Sequence, residues 1–341
     1  MKLLILAAIL VVAVTAVPLT NNEIEREWQS FKEQFRSNKA LYVNEAEETY
    51  RRSVFETKYK QIVKHNEEAD NGQHTYWLGV NQFSDLTDKE FEQMMLSPMT
   101  PLDRSNIKIQ EFKSNNILDS TLDYRTKGMV ARVKNQGQCG SCWAFAAVAA
   151  TEGQYAKKYS YLQEFSEQNL VDCTKGTSCT TGGNYAMAYQ QVIKEGGLET
   201  EEDYPYTSGS GESGSCKFTK SKSAVTIENA YGTQPHDAVQ LKQALSEIGP
   251  LAVVMNASGP GFRDIKSGVY SNSGCLSGDR QINHGVTVVG YGTENDMDYW
   301  IIKNSWATTW GDQGYFKIQR GVNRCGIEIQ GVWPTGVNKA L

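Results

Sequence analysis

The stretch Gln136-Gly-Gln-Cys139-Gly-Ser-Cys142-Trp-Ala-Phe-Ala-Ala-Val-Ala-Ala-Thr-Glu-Gly153 decides how the rest of the 341-residue chain is read. Its first half is a polar, glycine-containing turn. Its second half is an alanine-rich run with almost no polar face, which predicts a buried helix opening at Cys142. A thiol on the first turn of such a helix faces unpaired backbone N–H groups and the positive end of the helix dipole, and both favour thiolate over thiol. A nucleophilic thiolate needs a base. Of the 4 histidines, His65 and His74 fall in an N-terminal part of different composition, which leaves His236 and His284. His236 sits between Pro235 and Asp237 at the start of a polar helix, an exposed setting. His284 instead opens Asn283-His284-Gly-Val-Thr-Val-Val-Gly290, a β-strand that would hold an imidazole rigidly. Lys303-Asn304-Ser305-Trp306 ends another strand, offering an amide to hold the imidazole tautomer and an indole to screen that bond from water.

Outward from this core the chain changes character. Residues 17–117 carry 13 Lys/Arg and 17 Asp/Glu, with Gly72 and Gly79 as their only glycines and no cysteine; residues 118–341 carry 20 and 22, with 28 glycines and all 7 cysteines. The first part reads as charged and helical, the second as a turn-rich, disulfide-bearing domain, and no disulfide can join them. Ahead of both, Lys2 and the apolar run Leu3 to Val14 are too short to span a bilayer and end in small residues, Val14 and Ala16. They read as a secretory leader over residues 1–16 and imply an oxidising compartment rather than a stable membrane anchor. A net charge of -5 with no basic tract argues against nucleic-acid binding.

In the first part, Trp28, Phe31 and Phe35 follow a candidate cap at Asn22. Glu47, Arg51, Phe55, Lys58, Ile62 and Asn66 share one face of a helix expected from Glu45 to about Asn66. Gly79-Val-Asn81-Gln-Phe83-Ser-Asp85 suits a short strand, Thr87 caps a helix running to Met95, and residues 97–116 read as an exposed linker. In the second part, helices are expected at 142–153, 166–171 and 185–194. Strands follow near 252–255, 285–290, 299–303 and 315–319, and Ser208 to Ser215 forms a Gly/Ser loop. A helical half followed by a β half is an α+β arrangement with a natural cleft between the halves.

The chain resembles the papain family of cysteine proteases, and more narrowly the cathepsin L-type preproenzymes. The resemblance rests on Gln136-x-x-Cys-Gly-Ser-Cys142-Trp143, on His284 and Asn304-Ser-Trp306, on the stripe Glu47 to Asn66 and on Gly79, Asn81, Phe83 and Asp85. It implies a papain-like fold of two subdomains, a helical left half and a β-barrel-like right half, preceded by a helical inhibitory propeptide. The divisions are 1–16 leader, 17–117 propeptide and 118–341 peptidase. It also implies a cysteine endopeptidase made as a self-inhibited zymogen that uses no metal and no cofactor, acts on protein and peptide substrates as a monomer, and resides in a lysosome, in a digestive vacuole or outside the cell. Cys142 would be the nucleophile, His284 the general acid/base, Asn304 its orienter, Gln136 with the Cys142 N–H the oxyanion hole, and Trp306 the shield. Gly183 would bind substrate backbone, and Tyr185, Val254, Gly285 and Gln330 would shape the S2 pocket, with Gln330 as a polar floor. The implied disulfides are Cys139–Cys179, Cys173–Cys216 and Cys275–Cys325.

Four positions depart from the family pattern: Lys58 for asparagine, Ala307 for glycine, Asn283 for aspartate, and one extra residue between Cys179 and Gly182-Gly183. Asn256-Ala-Ser258 is a glycosylation sequon beside Val254. Cys139-Gly-Ser-Cys142 alone would also suit a thiol-disulfide oxidoreductase, and Cys139, Cys142, Cys173 and Cys179 a zinc site. The first lacks its βαβ context, and an oxidising compartment disfavours the second. A non-catalytic homologue would normally have lost the cysteine, the histidine or the glutamine, and all three are present.

Overall fold

The structure is a computed structural model that describes residues 19–36, 42–96, 107–113 and 118–340; the expected leader lies outside the described residues. Helix α1 (Asn21–Phe35) is started by Thr20 rather than Asn22. The Thr20 side chain accepts the Glu23 N–H while the Glu23 carboxylate accepts the Thr20 N–H, so two orphan donors are satisfied reciprocally. In that register Ile24 is buried, and Trp28 and Phe31 face inward against Phe55 of α2 (Glu45–Asp70). Burial of each of these aromatic rings contributes about 1.5–3 kcal/mol, which gives the N-terminal part a small core of its own.

Strand β1 (Tyr76–Leu78) lies just ahead of the stretch expected to be extended. Residues 81–85 form a turn instead, because the Asn81 side-chain oxygen accepts the Phe83 N–H (2.9 Å) and the Asn81 carbonyl accepts the Ser84 N–H (3.0 Å). Helix α3 (Asp88–Met95) follows, capped by Thr87 as the sequence predicts, and Glu90 completes a capping box with it. Residues 107–113 are not a free linker. They carry β2 (Lys108–Ile109), and the backbone of Phe112 is held at both its N–H and its carbonyl by the Gln240 side chain (2.8 Å each).

The second part contains β3 (Leu122–Asp123), α4 (Cys142–Tyr159), α5 (Glu167–Cys173), α6 (Tyr185–Glu195), β4 (Val225–Thr226), β5 (Asn229–Gly232) and α7 (Ala238–Ile248). Then come β6 (Leu251–Met255), β7 (Ile265–Tyr270), β8 (His284–Glu294), β9 (Met297–Lys303), β10 (Tyr315–Gln319), β11 (Val332–Thr335) and β12 (Asn338–Lys339). Helix α4 is buried on every side for most of its length and packs against β6, β8 and β11, which seats Cys142 at the junction of the two halves.

The main sheet runs β1-β7-β10-β9-β8-β6-β11-β5-β2, with β3 on β8 and β4 paired with β12 apart from it. Its ends do not meet among the described residues, so the expected barrel-like half is an open sheet. Both edges of the peptidase part are taken by strands from the N-terminal part, β1 antiparallel on β7 and β2 parallel on β5. Covered edges have no unpaired N–H and C=O row to offer another chain.

Candidate active site

Cys142 is the first residue of α4, and its buried sulfur accepts the Gly285 N–H at 3.2 Å. Burial pushes the thiol up to about 11, against the backbone N–H groups of Gly285, Trp143 and Cys142 itself, which pull it down. Gly285 lies close against the start of α4: a Cβ there would lie 3.2 Å from the Cys142 carbonyl and from the Trp143 backbone, so those groups would have to give by a few tenths of an ångström.

His284, fully buried, opens β8 opposite Met255 of β6. Its Nε2 lies 2.7 Å from the Asn304 side-chain oxygen, which also accepts the Ser305 N–H (2.8 Å). An oxygen with two donors fixes the tautomer: Nε2 carries the proton, and Nδ1, with no partner among the described residues, keeps its lone pair. Burial lowers His284 to about 4, the Asn304 hydrogen bond opposing it. The Trp306 indole covers this pair, its centroid 4.7 Å from the imidazole.

Gln136 is completely buried. Its Nε2 donates to the carbonyls of Cys139 (3.0 Å) and Met95 (3.2 Å), and its Oε1 accepts the Ser305 hydroxyl (2.7 Å). Cys142, His284, Asn304, Gln136 and Trp306 are thus assembled from α4, β8 and the loops around 136 and 304. Sequence reading assigned Ser305 no role, although it stands between two residues that it singled out.

Gly183 packs its bare Cα on the Trp143 ring, where a Cβ would come within 2.7 Å. Tyr185 and Val254 are buried in one apolar cluster with Ile107 and Ile329. Gln330 is buried with its Nε2 on the Thr233 carbonyl (2.9 Å), and its Oε1 has no partner among the described residues. His236 is half-exposed, 3.2 Å from Asp279. Asn256 of the sequon is buried and donates its amide to the Leu276 carbonyl, so it offers no nitrogen for a sugar in the folded chain. The disulfides join Cys139 to Cys179, Cys173 to Cys216 and Cys275 to Cys325, the pairs that the resemblance implies, and Cys142 is the free cysteine.

The N-terminal part reaches this site directly. Phe83 and Phe91 stand edge-on to Trp306 at 5.8 and 5.4 Å, the Gln82 amide donates to the Trp306 carbonyl (2.7 Å), and the Asn81 amide donates to the Arg263 carbonyl (2.9 Å). Lys58 is mostly covered, with its ammonium 3.4 Å from the buried Asp264 and 3.4 Å from Asp88.

Residues 118–335 match the family described as papain family cysteine protease, and residues 28–91 match the cathepsin propeptide inhibitor domain. The chain is 36% identical to cathepsin L of Sarcophaga peregrina over 98% of its own length and 100% of that protein. It is 37% identical to human cathepsin L2 over 97% and 98%. Among solved structures it is similar to digestive procathepsin L2 proteinase from the larval midgut of Tenebrio molitor, with a TM-score of 0.85 and 34% identity, covering 92% of this chain and 99% of that one. No helix among the described residues is long and apolar enough to cross a membrane.

Proposed function

Because the chain belongs to the papain family of cysteine proteases and carries a cathepsin propeptide inhibitor domain ahead of its peptidase domain, we propose that Cys142 and His284 are its catalytic pair and that residues 17–117 hold them inactive until removed. The observation that carries this reading is the Met95 carbonyl on Gln136 Nε2. A backbone carbonyl of the inhibitor occupies the donor that a substrate oxyanion would need.

The steps follow from the geometry. With Nε2–H held by Asn304, Nδ1 is the nitrogen that takes the Cys142 proton. The thiolate attacks the peptide carbonyl, a C–S bond forms, and the resulting oxyanion is received by Gln136 Nε2 and the Cys142 N–H. Collapse breaks the C–N bond as His284 protonates the leaving amine. Water, deprotonated by His284, then attacks the thioester and regenerates the thiol. In the zymogen, burial holds this pair as neutral thiol and neutral imidazole, so release of the inhibitor both opens the cleft and lets the pair ionise.

Tyr185, Val254 and Gly285 shape the S2 pocket and Gly183 binds substrate backbone; the unpartnered Gln330 Oε1 gives the pocket a polar floor that accepts a basic P2 side chain. The enzyme is an endopeptidase of the secretory pathway, delivered to a lysosome or digestive vacuole or released from the cell, and acts as a monomer. The leader ends at residue 16 and the peptidase begins at residue 118.

Acid activation followed by a substrate-like epoxide tests the reading. One adduct on Cys142, absent from the unprocessed chain, is expected; an unlabelled Cys142 in activated protein overturns it. The same activated enzyme, assayed on Phe-Arg and Arg-Arg reporters with and without Gln330→Ala, reads the P2 proposal: indifference of that ratio to the substitution refutes it.

A further inference from the structure

The Gly/Ser loop at 208–215 and the residues that lead into it have no part in the chemistry above, yet they press on the turn that carries the oxyanion donor. The Gln138 N–H donates to the Gly209 carbonyl (2.9 Å). Gly137, at φ 62, sits so close that a Cβ would lie 2.3 Å from that same oxygen. The side chain that connects the two loops is Tyr206. Its hydroxyl donates to the Gln136 carbonyl (2.7 Å) and lies 2.8 Å from the Ser141 hydroxyl. A phenol has one proton, and the Gln136 carbonyl can only accept, so Ser141 donates to the phenolic oxygen. Ser141 is the N-cap residue of α4, and its side chain makes no capping bond to the helix. One hydroxyl therefore ties together the main chain of Gln136 and the residue before Cys142, the two places from which the oxyanion donors come.

We propose that Tyr206 is a positioning residue for the oxyanion hole, setting the Gln136 amide and the Cys142 N–H at one mutual distance. It touches neither substrate nor the reacting atoms. The Gln136 N–H is already held by the Ser305 carbonyl (2.9 Å) and its Oε1 by the Ser305 hydroxyl, both from the opposite half of the molecule. Tyr206 holds the same residue from the helical half, so the hole is fixed across the cleft. Phe145 of α4 packs edge-on to the Tyr206 ring at 5.0 Å and limits its rotation. Burial raises the phenol well above its usual range, which keeps it a protonated donor wherever the enzyme works.

The inference rests on the catalytic reading above, and its test separates the two. In acid-activated enzyme, Tyr206→Phe removes the donor and keeps the ring. It is expected to lower kcat about tenfold with KM unchanged, since a misplaced donor forfeits part of the stabilisation that a missing one loses altogether. The inhibition constant of a peptide aldehyde, whose thiohemiacetal oxyanion uses the same hole, rises by the same factor. Alkylation of Cys142 by iodoacetamide, which makes no oxyanion, keeps its parent rate; a merely structural role would move it too. An unchanged kcat, or an alkylation rate that falls together with kcat, overturns the proposal. If Tyr206→Phe does not fold, Ser141→Ala, which removes the hydroxyl on the other side of the phenol, is expected to give the same split at a few-fold, and its absence overturns the proposal equally. A Gln136→Ala enzyme with unimpaired kcat would sink the reading of the hole itself, whereas a crippled Gln136→Ala beside a normal Tyr206→Phe refutes the positioning role alone.

Discussion

Ala307 shows how one departure from a family pattern is absorbed. It has φ 63, a left-handed conformation in which a Cβ crowds the backbone, and its N–H is held by the Lys134 carbonyl (3.2 Å), so the turn after Trp306 cannot relax without losing that bond. Ala307→Gly is expected to raise stability by about 0.5–1 kcal/mol, the relieved strain exceeding the entropy that glycine adds to the unfolded chain. An unfolding midpoint in denaturant that stays put or falls would contradict this. Asn283 is absorbed differently. Its side chain bonds the Ala257 N–H (2.8 Å) and the Ser258 hydroxyl (2.9 Å), tying the turn after β6 to the start of β8 without a charge beside His284. Lys58, the departure on the α2 stripe, is an ionic contact between inhibitor and enzyme. A helical wheel shows which residues share a face, and only the docked partner shows what that face meets.

At the scale of elements, the stripe on α2 ties the inhibitor's own elements together and reaches the enzyme through Lys58. Arg51 reaches Glu90 of α3 (2.9 Å), Lys58 reaches Asp264, Ile62 is buried, and Asn66 holds both the N–H and the carbonyl of Leu78 in β1 (2.8 and 2.9 Å). Two groups around it titrate in different pH ranges. Burial raises the Glu90 carboxyl, but hydrogen bonds from Arg51 and Thr87 outweigh it and hold it down at about 2. A depressed carboxylate stabilises the folded inhibitor fully above its ordinary value near 4.5, and that contribution is lost as pH falls toward 2. His65 lies beside β1, its Nε2 3.0 Å from the Tyr76 carbonyl and its ring stacked 4.1 Å from His74, with Glu68 3.0 Å from His74 on the far side. Burial lowers it below 6.5; the Tyr76 bond and Glu68 oppose that effect, and His74 adds to it. A depressed imidazole acts in the same direction at higher pH: the folded inhibitor prefers it neutral, the unfolded one takes a proton, and the packing around it weakens as pH drops below 6.5. Acid loosening should therefore begin at His65 and end at Glu90. The variant His65→Gln keeps a donor for Tyr76 but cannot titrate, and the onset of zymogen processing is expected at lower pH. A processing profile that coincides with the parent's would exclude His65 as a contributor.

Across the whole molecule, inhibitor and enzyme share one sheet and one hydrophobic cluster, in which Phe83, Phe91 and Met95 pack with Phe262, Trp306 and Trp310. Removing residues 17–117 strips both sheet edges. At the β7 edge the Val269 N–H loses the Thr75 carbonyl (2.8 Å), and at the β5 edge the Gly232 carbonyl loses the Gln110 N–H (2.9 Å). Hydrogen exchange at Val269 is expected to be slow in the zymogen and at least tenfold faster after processing, while amides of the central strand β8 change little. Equal protection at Val269 before and after processing would mean that another segment re-covers that edge.

Much of the candidate site was legible because its signals are local. A turn before an alanine-rich helix, a histidine at a strand start and an amide-indole pair at a strand end each follow from residue type and spacing, and the same holds for the helix cap at Thr87. The pairing of β1 with β7 and of β2 with β5, the docking of residues 107–113, the reach of Lys58 to Asp264 and the clamp of Tyr206 on Gln136 join residues tens to hundreds of positions apart. Such contacts are chosen by which edges, carbonyls and charges remain unsatisfied once the parts have packed, and no short window of sequence contains that information. The sequence alone therefore determined the candidate chemistry of Cys142 and His284, through local backbone geometry and side-chain type. Only the tertiary structure decided how that chemistry is held and how it is blocked, because those depend on long-range partners for buried polar groups.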